Sequence, residues 1–471
     1  MIIFIVFLLS VVTLGIAFKR GPATAFNWVF LPVFLLTPLD LWIHLPALPE
    51  LNARRAIALC ILIAMIARGK GEMSVPQRSS VDRLMLLAMV AWSLSYGVHT
   101  DVMGFVHSMA ALSVDLWLPF ILARRLWRGW DDLAKALIPI GFATLILALL
   151  AMYEARMISR SYARLWDDLT GTGVLPYFEM WRWGFLRAGV VFNHPITLGV
   201  SFAMLAPLAL LWGMLVPRWR RLSKFTAAAC VIGAVATISR GPIIAALLGL
   251  CVVWFMHKER RYIYPLIAVL VVAAIPYLYG LLQDSMAYVE ASLAEQGNVE
   301  SGYYRIALFM IYLEAIRAGG LFGNPASIGQ EYEAAWSIDN SYIYMFLTYG
   351  WLGGAVFTLL VVSMIWLAVG QTRRLQGEER IRMACLSGAA VALAFAILNV
   401  WFSGDYSPLL FMLLAVIVNQ TLPRTASPKS VNQERVASGT AIAKGTRAAR
   451  WRASRMTPRR IRSGGSSSRR P

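Results

Sequence analysis

Acidic residues are scarce in this chain. Its 471 residues hold 25 Asp and Glu against 44 Lys and Arg, and the charged types together make up only 15%. Soluble domains run at about 25% charged, so the chain has too few charges to cover a water-soluble globule. Cysteine is nearly absent as well. Cys60, Cys230, Cys251 and Cys385 all fall inside apolar runs with no CxxC pair, which excludes a disulfide framework or a thiolate metal site. The five histidines are scattered along the chain, so no metal is expected, and no nucleotide- or cofactor-binding motif is read. The alternating segments of about ten residues that build a transmembrane β-barrel are missing too.

What is present is apolar length. Hydrophobic residues make up 58% of the chain and mean hydropathy is +0.61. Several runs reach the roughly 20 residues that carry a helix across a bilayer. The expected fold class is an all-α polytopic membrane protein of 12 to 13 spans. The first run, Ile2–Phe18, has no basic leader and is followed by Lys19-Arg20, which reads as a retained span. The least determined part of the topology is near Arg54-Arg55, which falls on the outer side only if there are 13 spans.

Basic clusters set the orientation. They stand at Arg68–Arg83, Arg124–Lys135, Arg218–Lys224, His257–Arg261 and Arg373–Arg382. Placing all of them in the cytoplasm makes the runs between them cross in pairs. A large periplasmic loop is then expected over 283–340, after a span at 263–282, and residues 1–420 form one multi-span domain. Residues 421–471 carry thirteen Lys and Arg but one acid, Glu434, among Ser, Ala, Gly and Pro. That composition predicts a disordered cytoplasmic tail that touches anionic lipid, with no nucleic-acid role.

The stretch from Phe225 to Met256 contains one charge, Arg240 in TISRGP. An arginine in an apolar run is costly and usually functional. Both flanking runs are short for a bilayer, so the turn is expected at Ser239–Pro242, slightly sunken from the outer surface. Arg187 in RAGVVFNHP and Arg305 in SGYYRIALF fall on the same side. Converging guanidiniums suit a phosphate or pyrophosphate, whose oxygens match the arginine fork. Asp339-Asn340, at the entry to a later span, offers a carboxylate able to take a proton, or a helix N-cap. His194, ahead of Pro195, is a secondary candidate with an equally good structural role. Arg182, among tryptophans, reads as an interfacial anchor, and Glu154 and Glu314 as loop or surface charges.

The order of these motifs resembles a family. RAGVVFNHPITLG, then SRGP between two spans, then a large loop opening near YR and closing with GLFGNP and DNSYIYMFLTYGWLGG, is similar to the O-antigen ligase/polymerase superfamily of bacterial inner-membrane glycosyltransferases (Wzy-like, GT-C-type). The resemblance covers roughly residues 185–355 and leaves out the basic tail. It implies a sugar chain on undecaprenyl pyrophosphate as substrate, presented at the periplasmic face, and metal-independent catalysis. It also implies Arg187 and Arg240 as pyrophosphate ligands, with Arg305 assisting. Ligases of this family carry a histidine before the loop asparagine as the proposed base. Here Asp339 stands in that place and the loop has no histidine, a form closer to exopolysaccharide polymerases. The expected activity is therefore polymerisation of lipid-linked repeat units, with a chain-length regulator as a candidate partner. Ligation to lipid A core is the alternative and transport of the same lipid-linked sugars the second.

Overall fold

The computed structural model describes residues 1–39, 41–43, 50–69, 77–171, 180–257, 283–285, 287–288, 301–324 and 338–422. The chain divides into two units, Met1–Thr421 and Leu422–Pro471, and the second lies outside the described residues but for Leu422. The expectation of a span at 263–282 also lies outside them, as do residues 286, 289–300 and 325–337 of the loop expected over 283–340.

Within the first unit the chain is helical almost throughout, because a lipid environment offers backbone N–H and C=O groups no partner except their own helix. The helices, in chain order, are α1 (Ile2–Arg20), α2 (Pro22–Leu36), α3 (Ala53–Arg68), α4 (Ser80–His99) and α5 (Val102–Leu126). They continue with α6 (Trp130–Met157), α7 (Ser161–Thr170), α8 (Pro195–Leu215), α9 (Arg220–Ala236) and α10 (Arg240–His257). The last are α11 (Ser301–Ala318), α12 (Ser341–Arg374), α13 (Gly377–Asn399) and α14 (Ser407–Thr421). Among the described residues, eight are long and apolar enough to cross a bilayer: α1, α4, α5, α6, α8, α10, α12 and α13. The chain is an all-α, multi-pass membrane protein. Eight is fewer than the expected count, partly because α2 and α14 are apolar but shorter.

The centre of the bundle is α8, which is buried along nearly its whole length, whereas α1 keeps Ile3, Phe4 and Phe7 exposed in the manner of a lipid-facing helix. Helices in lipid gain little from hydrophobic burial against one another, so close approach and polar latches hold them. α10 and α13 cross where Gly249 meets Gly388. A Cβ on Gly388 would fall 2.5 Å from the Gly249 carbonyl oxygen, so no larger residue fits.

One end of the bundle is pinned by arginines on helix C-terminal carbonyls, the favourable place for a cation. Arg68 Nη1 donates to Phe18 O at 2.8 Å, and Arg380 Nε to Met256 O at 2.8 Å. Arg124 pairs through two nitrogens with Asp82, at 2.9 and 2.8 Å, while Asn419 caps the end of α5 through Trp127 O at 2.8 Å. Trp130 Nε1 reaches Glu379 Oε2 at 2.8 Å and ties α6 to α13. The basic clusters at 124–135 and 373–382 thus gather at one end. α10 finishes there, yet α12 begins at the other, so the chain changes ends between His257 and Ser341.

Candidate functional site

The opposite end holds the candidate residues. It is built from four short connections that dock on one another and on the tip between α9 and α10. The first is a hairpin, β1 (Trp181–Arg182) with β2 (Phe185–Leu186), antiparallel, with Trp181 opposite Leu186 and Arg182 opposite Phe185. Its two-residue turn needs positive φ at both positions, and Trp183 (52°) and Gly184 (77°) supply it. Glycine does so without strain. Tryptophan does not, so this turn is held by what surrounds it.

What surrounds it is arginine. Leaving the hairpin, Arg187 points at the connection between α9 and α10. Its Nε donates to Thr237 O at 3.1 Å and its Nη2 to Ser239 Oγ at 2.8 Å. Arg182 Nη1 reaches Ile238 O at 3.4 Å, and Ala188 N donates to Ala236 O at 3.1 Å. Arg240 lies over the exposed Trp183 ring, 5.5 Å from its centroid, and Arg182 lies 5.3 Å from the same centroid. Arg182, Arg187 and Arg240 therefore converge on one turn and one indole. The sequence reading brought together the last two and set Arg182 aside. Adjacent tryptophans usually mark an interfacial anchor, and only the hairpin turns Arg182 toward Ile238.

The turn itself differs from expectation. Residues 240–242 are not the turn but the first turn of α10, and the left-handed residue is Ile238, with φ of 49°. Proline is tolerated in a first helical turn, where its missing N–H has no acceptor to lose. Gly241 is small for another reason: a Cβ there would come within 2.6 Å of the Asn399 side chain. Arg240 stands exposed at the helix N-terminus, where unpaired N–H groups and the helix dipole favour an anion.

The second and third connections are FNHP, before α8, and 400–406, between α13 and α14. Asp405 is wholly buried, and its Oδ2 accepts from Asn193 N at 3.2 Å and Thr197 Oγ1 at 3.1 Å. His194 is the N-cap of α8: Nδ1 accepts from Ile196 N at 3.0 Å, and the ring packs edge-on against Trp401. Accepting at Nδ1 leaves Nε2 to carry the proton of a neutral ring, so His194 is set up as a donor there. Asp405 escaped the sequence reading because FSGDYSP has the look of an ordinary turn.

Glu154 is a correction to its reading as a loop or surface charge. It lies in the last turns of α6, is buried, and its Oε2 accepts from Gly189 N at 2.9 Å and Val190 N at 2.8 Å. Those N–H groups belong to the strained link after Arg187, where Val190 has a φ of 53°. A buried carboxylate thus holds the backbone that aims Arg187.

The fourth connection is the entry to α12. Asn340 caps this helix, its Oδ1 accepting from Tyr342 N at 2.9 Å and Ile343 N at 3.2 Å, while Asp339 is half-buried just outside. Ser341 Oγ donates to Val400 O at 2.6 Å and lies 2.6 Å from the Tyr406 hydroxyl. Burial pushes the Tyr406 phenol above its ordinary range, so it stays protonated beside Asp405. Asp339 therefore stands next to the 400–406 connection that latches His194, whereas the arginines stand around the hairpin. The two groups meet through Gly241 against Asn399.

Arg305 lies on α11, and its side chain is outside the described residues. That helix packs through Leu308, Tyr312 and Ile316 on Ile338, Ile343 and Leu347 at the start of α12. The motifs GLFGN and TYGWLGG then meet directly. α12 breaks at Gly350, with φ of 67° and ψ of −168°. The broken backbone bonds sideways: Trp351 N to Gly320 O at 3.1 Å, Leu352 N to Leu321 O at 3.1 Å, and Asn324 N to Leu347 O at 2.9 Å. Ser95 Oγ completes the junction, 2.5 Å from Phe322 O and 3.0 Å from Thr348 O.

Among the described residues no three His, Cys, Asp or Glu side chains gather as a metal site would need. No protein-family model matches the chain, and no curated protein matches it.

Proposed function

We propose that this protein is a membrane glycosyltransferase that polymerises oligosaccharide repeat units carried on undecaprenyl pyrophosphate, at the periplasmic face of a bacterial inner membrane. The observation that supports this best is the convergence of Arg182, Arg187 and Arg240 on the turn at 237–239 beside the N-terminus of α10. That arrangement suits a pyrophosphate, which gains negative charge as it leaves. In the proposed reaction an acceptor sugar hydroxyl attacks the anomeric carbon of the donor unit. A new C–O bond forms, the bond from that carbon to the pyrophosphate oxygen breaks, and the leaving group keeps the electron pair. Asp339 is the candidate to take the hydroxyl proton. The helix cap is made by Asn340, and a carboxylate beside the acceptor is the group type that can take such a proton. Arg305 is proposed to assist from α11.

The test is deletion of the protein followed by analysis of the lipid-linked sugars that accumulate. Single repeat units on the carrier, exposed at the outer face, support polymerisation. Long chains left on the carrier point instead to ligation onto lipid A core. Single units trapped at the cytoplasmic face overturn both and point to transport.

A further inference from the structure

The end of the bundle away from Arg187 holds a second basic feature, which the reading above does not use. A cavity of about 610 Å³ opens between the start of α4 and the end of α5. Four described arginines line it: Arg78 just before α4, Arg83 in its first turn, and Arg124 and Arg125 near the end of α5. Arg78 and Arg83 are exposed and Arg125 is half-buried. Among the described residues the lining holds one carboxylate, Asp82, and that charge is already paired. Its two oxygens accept from Arg124 at 2.9 and 2.8 Å, and Oδ2 also accepts from Ser79 N at 2.8 Å. Arg124 is itself buried and further held by Asn419 and by Gln77 O at 3.1 Å. The Arg124–Asp82 pair is thus a neutral wall, and the other charged residues of the described lining, Arg78, Arg83 and Arg125, are positive.

Below the arginines the lining turns apolar. Leu86 lies one helical turn from Arg83 on α4, and Trp117 and Ile121 lie along α5 beneath Arg125. Leu86 is 55% and Trp117 37% exposed, so this wall faces the bundle's surroundings and not its core. The cavity has an order, with cations at the helix ends and apolar surface running from there toward the middle of the bundle. A phospholipid has the same order, with a charged head at the interface and chains below it. Basic residues at this end would orient the chain wherever they stood along its loops. Orientation alone does not require arginines from two helices to meet over an apolar wall, with the nearest acid neutralised.

We propose that this cavity binds the phosphate headgroup of an anionic membrane phospholipid, with its acyl chains along Leu86, Trp117 and Ile121. Basic pockets between spanning helices recognise such headgroups through their summed charge. The site stands apart from the proposed transfer chemistry, and its test does not depend on it.

The full chain, delipidated in detergent, is titrated with phosphatidylglycerol, with phosphatidylcholine and with inorganic phosphate, and bound lipid is counted by native mass spectrometry. One phosphatidylglycerol per chain should be retained, at about ten-fold lower concentration than phosphatidylcholine, and Arg83→Gln and Arg125→Gln should each weaken retention about five-fold. The wild-type comparison of the two lipids needs no variant to fold. Equal retention of both lipids overturns the proposal. So does unchanged phosphatidylglycerol retention in the Arg83→Gln/Arg125→Gln variant. Displacement of the lipid by inorganic phosphate at equal concentration overturns it as well, because the site would then recognise a free anion and not a lipid.

Discussion

Arg187 and Ser239 stand 52 residues apart in the chain, yet Arg187 Nη2 donates to Ser239 Oγ at 2.8 Å. That bond joins the hairpin before α8 to the tip between α9 and α10, and with it two arginines that the sequence could place only on the same side. A guanidinium held by a hydroxyl and a carbonyl is pre-aimed, so it need not reorganise when a charged group arrives.

On the proposed reading, Arg187→Gln and Arg240→Gln should each lower polymer formation about 100-fold, the usual effect of removing one donor from a site of developing charge. Lysine should rescue poorly at either position, because it lacks the bidentate fork. Polymer is measured on gels against membrane-fraction protein level. Normal polymer with either substitution would leave the arginines no role in transfer.

Ser239→Ala should act through Arg187. Hydrogen bonds to charged groups contribute about 1.5–3 kcal/mol, so an activity loss of roughly ten- to hundred-fold is expected. Combining it with Arg187→Lys should add little further loss, since both changes remove one interaction. Fully multiplicative losses in that cycle would show the two residues to act independently.

Glu154 gives a stability prediction that stands without any assigned function. Glu154→Leu strands the N–H groups of Gly189 and Val190, at a cost of roughly 2–5 kcal/mol, whereas Glu154→Gln keeps an acceptor and should cost less than half of that. Thermal unfolding in detergent ranks the two variants. Equal midpoints would mean that the carboxylate does not hold the 189–190 link.

At the break in α12, a Cβ on Gly350 would fall 2.3 Å from Gly323 N, and one on Gly323 would fall 2.3 Å from Gly350 N. Both glycines have positive φ. Neither clash can be relieved by a side-chain rotation, because each is with backbone. Gly350→Ala and Gly323→Ala should therefore sharply reduce folded protein in the membrane. Gly370→Ala, in the same helix with nothing within 4 Å, should be neutral or stabilise by about 0.5–1 kcal/mol. Fluorescence-detected size exclusion of tagged variants separates these outcomes.

The helices were legible because their signal is local. A run of apolar residues near 20 long announces a span whatever its neighbours are, and arginines crowd the ends of such runs for equally local reasons. Arg187 and Arg240 could be singled out this way, since a charge near an apolar run is conspicuous. Arg182 could not, because its neighbours Trp181 and Trp183 supply a sufficient local explanation. Asn340 was legible as a cap from its residue type, and the structure gives it that bond. The position of the turn at Ile238 was not, because glycine and proline at 241 and 242 are stronger local turn signals than isoleucine.

By itself, the sequence determined that this chain crosses a membrane many times as helices, and which of its charges most needed explaining. Apolar content and charge position act residue by residue and add along the chain. Only the tertiary structure decided that Glu154 and Asp405 are buried latches, that Arg182 joins Arg187 and Arg240, and that the GLFGN loop bonds to the break at Gly350. Those outcomes rest on hydrogen bonds between residues tens to hundreds of positions apart. Each is set by a donor and an acceptor meeting within about 3 Å, and no local pattern in the sequence encodes such a meeting.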